Sequence, residues 1–353
     1  MSYAPSIAIH PGQAVARELE ARGVSQKWLA DRTGLSEKQI SQIVNGEASI
    51  TADTATRLEN AIGGSASFWV NLNANYQTAK AKLDQKKKAE AEIDMLSEIP
   101  YADLVSMGWI ESTKDKAERV MNLWRFFGVN SLRQILLTQD VAFRQVKAKK
   151  INPYALAAWL RKGEIEVTTL ELPEYSEARL KAAIPKIREI AYEMPDGFYS
   201  QLCSILNNAG VGLVAVKNPK NTAVHGATRR IGKNPIIQLS LHGRSADKMW
   251  FSLFHEIGHI LLHGKRNQFI SFDDTEKLPQ EYEADEFASE TLLPSSLFEE
   301  FVSRGDYSLV AVKAFANLAK VNPCIIMGRL EHSEIVPYTV FSQYHTKLSW
   351  QDE

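Results

Sequence analysis

Through the first 78 residues, apolar positions recur at helical spacing in short stretches, each closed by a glycine. Pro11 fits the first turn of a helix running to Gly23, because a first-turn residue needs no N–H and glycine supplies a left-handed stop. Ser25 is placed to cap a second helix that ends at Gly34, and Ser36 to cap a third that ends at Gly46. Residues 79 to 200 keep a helical pattern behind a charged opening, AKAKLDQKKKAEAEID. Around residues 201 to 241 the period changes. GVGLVAVK and NPIIQLSL are short β-branched runs bounded by Gly, Pro and Asn, which predicts strands, and VHGATRRI between them offers a third. From Ser245 to the end the helical period returns, broken by Pro279, Pro294, Pro323 and Pro337. The expected fold class is mainly α with a small β-sheet. Its expected parts are an amino-terminal domain (1–78), a helical connector (79–200), an α+β domain (201–295) and a helical carboxy-terminal extension (296–353).

Composition narrows the function classes. A chain of 353 residues with 44% apolar and 24% charged residues is too balanced for a disordered tail. With 41 basic against 42 acidic residues, it cannot hold nucleic acid or anionic membrane by bulk charge, so any such contact must be local. The one basic run, Lys80, Lys82, Lys86, Lys87 and Lys88 against Asp84, reads as a solvated helix or as a phosphate contact beside the first domain. Cys203 and Cys324 form no CxxC pair and read as two core thiols in a reducing compartment. The amino terminus lacks a signal-peptide pattern, and no stretch approaches the roughly 18 apolar residues of a membrane span. A soluble, cytoplasmic protein with no membrane partner is expected.

Two short helices joined by a tight Gly-containing turn are the helix-turn-helix arrangement, in which the second helix presents polar side chains of its first turns to the major groove. Behind its Ser36 cap, that helix would present Glu37, Lys38, Gln39, Ser41 and Gln42, with Ile40, Ile43 and Val44 inward. Gln39 and Gln42 can pair with adenine and Lys38 can donate to guanine, whereas Ser25, Gln26 and Asn45 suit phosphates. The stretch from HPGQAVARELEARG through VNGEASIT to FWVNLNANYQ, about 68 residues, resembles the Cro/repressor-type helix-turn-helix family, specifically its HigA-like antitoxin branch. The resemblance implies a five-helix, lambda-repressor-like domain, a homodimer on operator DNA and a possible toxin partner. Residues 1 to 79 carry only Arg17, Arg22, Lys27, Arg32, Lys38 and Arg57 against seven acidic residues, so phosphate contacts there are few.

The second chemical signal is DKMWFSLFHEIGHILLHG. His255 and His259, four apart on a helix, put both rings on one face within reach of one ion. Glu256 between them is placed to take a proton from water at the open coordination position, as in the HExxH arrangement of zinc peptidases. So apolar a helix leaves two histidines and a glutamate without partners unless something satisfies them. Gly258 costs about 1 kcal/mol against Ala in mid-helix, which suggests close approach by a strand or by substrate. QEYEADEFASETLLP supplies a third ligand, Glu281, with Glu283 as the competing choice, and Asp285 is placed to orient a ligating imidazole. His263 continues the face, either to polarise a scissile carbonyl or to cap the helix.

The stretch from HGATRRIGKNPIIQLSLHG through the HExxH helix to EYEADEFASETLLP resembles the ImmA/IrrE family of zinc-dependent endopeptidases over about residues 200 to 295. The resemblance implies a zincin-like domain with Zn2+ on His255, His259 and Glu281, Glu256 as general base, and cleavage of a helix-turn-helix repressor. The strand VHGATRRI would hold substrate by edge pairing. Joined, the halves predict a transcriptional regulator that binds an operator and hydrolyses a regulatory protein. The rivals are a non-catalytic antitoxin or repressor with a sensing or scaffolding zinc fold, and a peptidase whose first domain docks protein.

Overall fold

The structure, a computed structural model, describes residues 7–137, 151–240, 245–264, 268–272 and 278–349. Residues 138–150 of the helical connector and Leu241, last in the NPIIQLSL run, lie outside the described residues. The chain forms two units, Met1–Asp94 with Thr113–Met121, and Met95–Ser112 with Asn122–Glu353.

The first unit opens with helices α1 (Gly12–Arg22), α2 (Gln26–Thr33), α3 (Glu37–Val44), α4 (Ala52–Ile62) and α5 (Ala66–Glu90). Sequence dictates their ends. Ser25 Oγ accepts the Trp28 N–H and Ser36 Oγ accepts the Gln39 N–H, each such cap being worth about 1 kcal/mol. Gly23 and Gly34 close α1 and α2 in the left-handed conformation, as expected from the sequence. The HPG opening has a local cause as well. His10 Nδ1 accepts the Gly12 N–H at 3.0 Å, and a Cβ on residue 12 would strike the Ile43 carbonyl, so α1 can cross α3 only over glycine. Val15, Leu29, Ile40, Ile43, Leu58 and Trp69 fill the core between the helices. The lysine run lies on α5, which continues unbroken past residue 78, and the unit reaches Asp94.

In the second unit, α6 (Tyr101–Ser106), α7 (Lys116–Phe127, which enters from the first unit), α8 (Gln134–Leu137), α9 (Pro153–Val167), α10 (Glu177–Glu193) and α11 (Phe198–Asn208) precede a four-stranded sheet. Its strands are β1 (Gly212–Ala215), β2 (Val224–Ile231), β3 (Asn234–Leu239) and β4 (Phe269–Phe272), in the order β1-β3-β2-β4. β1 runs parallel to β3, and β2 is antiparallel to both β3 and β4. All three strands expected from sequence are present. Two corrections follow from the order. β2 is bonded on both sides, so VHGATRRI is an interior strand and cannot pair with substrate by its edge; among the described residues β4 is the edge on that side. β4 also interrupts what reads as helix throughout after Ser245.

Alternation along the strands builds two cores. Val214, Ala227 and Ile236 face α9, against Leu156, Trp159 and Leu160. Leu213, Ile237 and Leu239 face the opposite way, into the large core that holds Trp250, Leu253, Phe254 and Ile257 of α12 (Ala246–Leu262). Buried polar bonds pin α9 to the sheet: Gln238 Nε2 donates to the Trp159 carbonyl and Trp159 Nε1 to the Val216 carbonyl. Behind α12 lie α13 (Pro279–Leu292), α14 (Ser295–Ser303), α15 (Leu309–Ala319) and α16 (Pro323–His332), whose apolar faces complete the same core. Among the described residues, no single helix is long and apolar enough to cross a membrane.

Candidate functional site

Helix α12 carries the chemistry because its apolar faces fix it on both sides. Trp250, Leu253, Phe254 and Ile257 are fully buried, and His255, Glu256 and His259 lie in the same stretch at 5%, 0% and 1% exposure. Burying roughly four large apolar side chains contributes about 1.5–3 kcal/mol each, enough to hold three polar groups in place if they are satisfied. Gly258 sits where α13 crosses. A Cβ there would come within 3.3 Å of Ala284 Cα and 3.1 Å of Phe287, so the close approach is by a helix and not by a strand or substrate.

That crossing brings Glu281 to the histidines. His255 Nε2 lies 2.9 Å from His259 Nε2 and 3.2 Å from Glu281 Oε2, and His259 Nε2 lies 3.5 Å from Glu281 Oε1. One donor atom from each of the three residues falls within 4.8 Å of the others. Donors about 2.05 Å from a tetrahedral zinc ion stand about 3.3 Å apart, the spacing found here. Polarity agrees with geometry. His255 Nδ1 is 2.8 Å from Asp285 Oδ1, so its Nδ1–H points outward and Nε2 is the ring nitrogen that faces the cluster. Glu281 Oε1 is buried without a hydrogen-bond partner. The donor set therefore fits a divalent cation of the zinc type.

The local field is strongly coupled. Burial lowers the proton affinity of His255, but hydrogen bonds to Asp285 and Glu281 and the charge of Glu256 outweigh it and raise the imidazole to about 9. Burial pushes Glu281 up, and the two facing histidines more than reverse this, holding it down at about 2.

Glu256 lies between the helix and the sheet. Its Oε1 accepts the Ser271 hydroxyl of β4 at 2.7 Å, and Oε2 is buried without a hydrogen-bond partner. Thr228 of β2 donates to its backbone carbonyl. Two contributors escaped the sequence reading: Ser271 on a four-residue strand, and Gly226, where a Cβ would come within 2.5 Å of Glu256 Oε1. His259 stacks on Phe269 at 4.0 Å between centroids, which fixes its ring plane.

His263 caps α12, as one of its two sequence readings had it, and its ring sits behind His259, on the Nδ1 side and away from the Nε2 that faces the cluster. Glu283 pairs with His263 Nε2 at 3.0 Å and makes no part of the three-residue group. A cleft of about 480 Å³ opens beside the cluster, lined by His255, Glu281 and Asp285, by Phe251 of α12, and by Ile325 and Arg329 of α16.

In the first unit, α3 exposes Ser36, Lys38 and Gln39, with Ser41 and Gln42 half-buried on the same helix and Ile40 and Ile43 inward. Gln39 is already engaged, because its Oε1 accepts the Ser36 N–H in a capping box. Asn45 Nδ2 donates to Ser41 Oγ. On α2 and its cap, Ser25 is exposed and Gln26 half-buried.

Comparison with known proteins separates the same two parts. Residues 212–322 match the peptidase family M78 profile, described as the IrrE N-terminal-like domain, and residues 15–69 match a helix-turn-helix profile. Virulence-associated protein I of Dichelobacter nodosus is 39% identical over 80 residues, 22% of this chain and 74% of its own length. An addiction module antidote protein of the HigA family from Coxiella burnetii is 38% identical, over 24% of this chain and 94% of that one, with a TM-score of 0.22. The Pseudomonas aeruginosa antitoxin HigA, solved with the higBA promoter, is 34% identical over 24% of this chain and 95% of its own, with a TM-score of 0.23.

Proposed function

The chain belongs to the helix-turn-helix family through its amino-terminal part and carries an IrrE N-terminal-like domain behind it, and from that premise we propose an operator-binding regulator that is also a zinc-dependent endopeptidase. The observation that carries the enzymatic half is the convergence of His255, His259 and Glu281 beside a buried glutamate with one oxygen free of hydrogen bonds. His255, His259 and Glu281 would hold the ion. When bound, zinc supplies Lewis acidity toward water and toward a peptide carbonyl.

The remaining work falls to the chain's own side chains. Ser271 anchors Glu256 through Oε1, which leaves Oε2 to take a proton from the attacking water and return it to the leaving amine. Asp285 holds His255 by Nδ1, so that Nε2 keeps its lone pair. The cleft beside Glu281 takes the substrate chain, and the edge strand β4 offers backbone groups for pairing with it. A regulatory protein is the substrate this combination of domains favours.

For the first unit, the reading places α3 in the major groove with Lys38 and Gln42 toward bases, Gln39 serving as both cap and base contact, and Ser25, Gln26 and Asn45 on phosphates. So few cations call for a dimer on two half-sites. The Lys80 to Lys88 run on α5 adds phosphate contacts.

The test is metal analysis of the purified chain together with mass spectrometry of regulatory proteins incubated with it. One zinc per chain and new termini that vanish on chelation are expected. Stoichiometric zinc with no cleavage of any regulator would favour a scaffold, and no zinc would end the metal reading.

A further inference from the structure

We infer that His263 and Glu283 form a relay that sets the tautomer of His259, as the imidazole counterpart of what Asp285 does for His255. The inference rests on the metal-site reading above. It assigns a joint role to a histidine and a glutamate that sequence spacing offers as a carbonyl-polarising group and a rival ligand.

The geometry runs in one direction. His263 Nε2 lies 3.0 Å from Glu283 Oε2, and a carboxylate only accepts, so Nε2 carries the proton. With Nε2 turned to Glu283, Nδ1 is the His263 ring nitrogen that faces His259, 3.1 Å from its Nδ1. Nε2 of His259 faces His255 Nε2 and Glu281, so a His259 that holds the ion through Nε2 carries its proton on Nδ1 and donates it to His263 Nδ1. The ring plane is set independently by Phe269, stacked 6° from parallel. Ring orientation and proton position are thus fixed by different elements, β4 and the pair His263–Glu283. The His259 and His263 side chains are 0% and 5% exposed, which keeps water from competing for Nδ1, whereas Glu283 is 61% exposed and ends the relay in solvent.

The two ligand histidines are consequently unequal. His255 is backed directly by a carboxylate and His259 by an imidazole, which polarises its N–H less. His263 and Glu283 are positioning residues that act through His259.

Two measurements on the full chain test this: zinc affinity by chelator competition, and nitrogen NMR shifts of the histidine rings in metal-free protein above pH 9, where His255 no longer donates to His259 Nε2. His263→Ala should weaken zinc by about 10–100-fold and shift His259 toward the Nε2–H form. His263→Asn should restore both to near wild type, because its Oδ1 takes the place of Nδ1 as acceptor. Glu283→Ala should produce a smaller loss alone and none in the His263→Ala background. The relay is overturned if His263→Ala leaves both readouts unchanged, if His263→Asn fails to restore the Nδ1–H form, or if Glu283→Ala costs the same in either background. Because the ring shifts need no metal, wild-type protein that takes up no zinc would sink the metal-site reading while the shifts still decide the relay.

Discussion

Gly226 of β2 packs against the carboxylate of Glu256, so closely that a Cβ at position 226 would lie 2.5 Å from Oε1 and 3.0 Å from Cγ. The contact makes a sheet residue a condition for the position of the proposed base. Gly226→Ala should leave the fold intact with a loss of about 1–3 kcal/mol, the usual cost of overpacking a filled site. It should also displace Glu256 from Ser271, lowering proteolysis while zinc affinity changes little. Thermal melting, zinc titration and a cleavage assay read these three quantities separately. Unchanged cleavage in a folded variant would show that Glu256 need not stay where the sheet holds it.

Asp285 is the carboxylate behind His255, 2.8 Å from Nδ1. Asp285→Asn keeps the shape and weakens the hydrogen bond, and zinc affinity should fall about 10–100-fold. Chelator competition measures it. An affinity equal to wild type would mean that Glu281 and His259 fix the ion without help from Asp285.

The same residues give the metal-free protein a defined pH dependence. His255 is held up at about 9 from an ordinary 6.5, so its contribution to stability is complete below 6.5 and is lost as pH rises through 9. Glu281 is held down at about 2 from an ordinary 4.5, so its contribution is present above 4.5 and is lost as pH falls through 2. Both act in full between 4.5 and 6.5. Melting temperatures of metal-free protein should decline on the alkaline side between 6.5 and 9, and Asp285→Asn should flatten that decline. Parallel curves for the two proteins would contradict the assignment. Since the ligands bind zinc only when deprotonated, zinc affinity should weaken as pH drops below about 9.

On α3, the cap Ser36 and the proposed base contact Gln42 are separate side chains. Ser36→Ala removes the cap and should cost about 1 kcal/mol of stability. Gln42→Ala removes no capping bond, and should leave melting unchanged while lowering operator affinity by about 1–3 kcal/mol. Gel shifts at two salt concentrations separate the effects, because losing Gln42 should not alter the salt slope. If Gln42→Ala binds operator as wild type does, α3 does not read bases through that residue.

Much of this was legible in the sequence. Caps at Ser25 and Ser36, the glycine stops, three strands, the face shared by His255 and His259 on one helix and that shared by Glu281 and Asp285 on the next all follow from local spacing, which the chain states directly. What local spacing cannot state is which elements become neighbours. β2 reads as a possible edge because strand order is a tertiary property, and β4 is too short and too flanked by polar residues to show a period. Gly258 announced a close approach, but its spacing pointed to a strand or substrate, whereas the neighbour is Ala284 of another helix. Glu283 and Glu281 are indistinguishable as ligands until α13 is docked; then one faces the cluster and the other His263.

In the proposed mechanism Glu256 acts on water beside an ion held by His255, His259 and Glu281. The most direct measurement is the rate at which wild type and Glu256→Gln, matched for zinc content, generate new termini in a cleaved regulatory protein. Equal zinc is expected in both, with a rate at least about 100-fold lower in the variant. Cleavage by Glu256→Gln at the wild-type rate would contradict the mechanism.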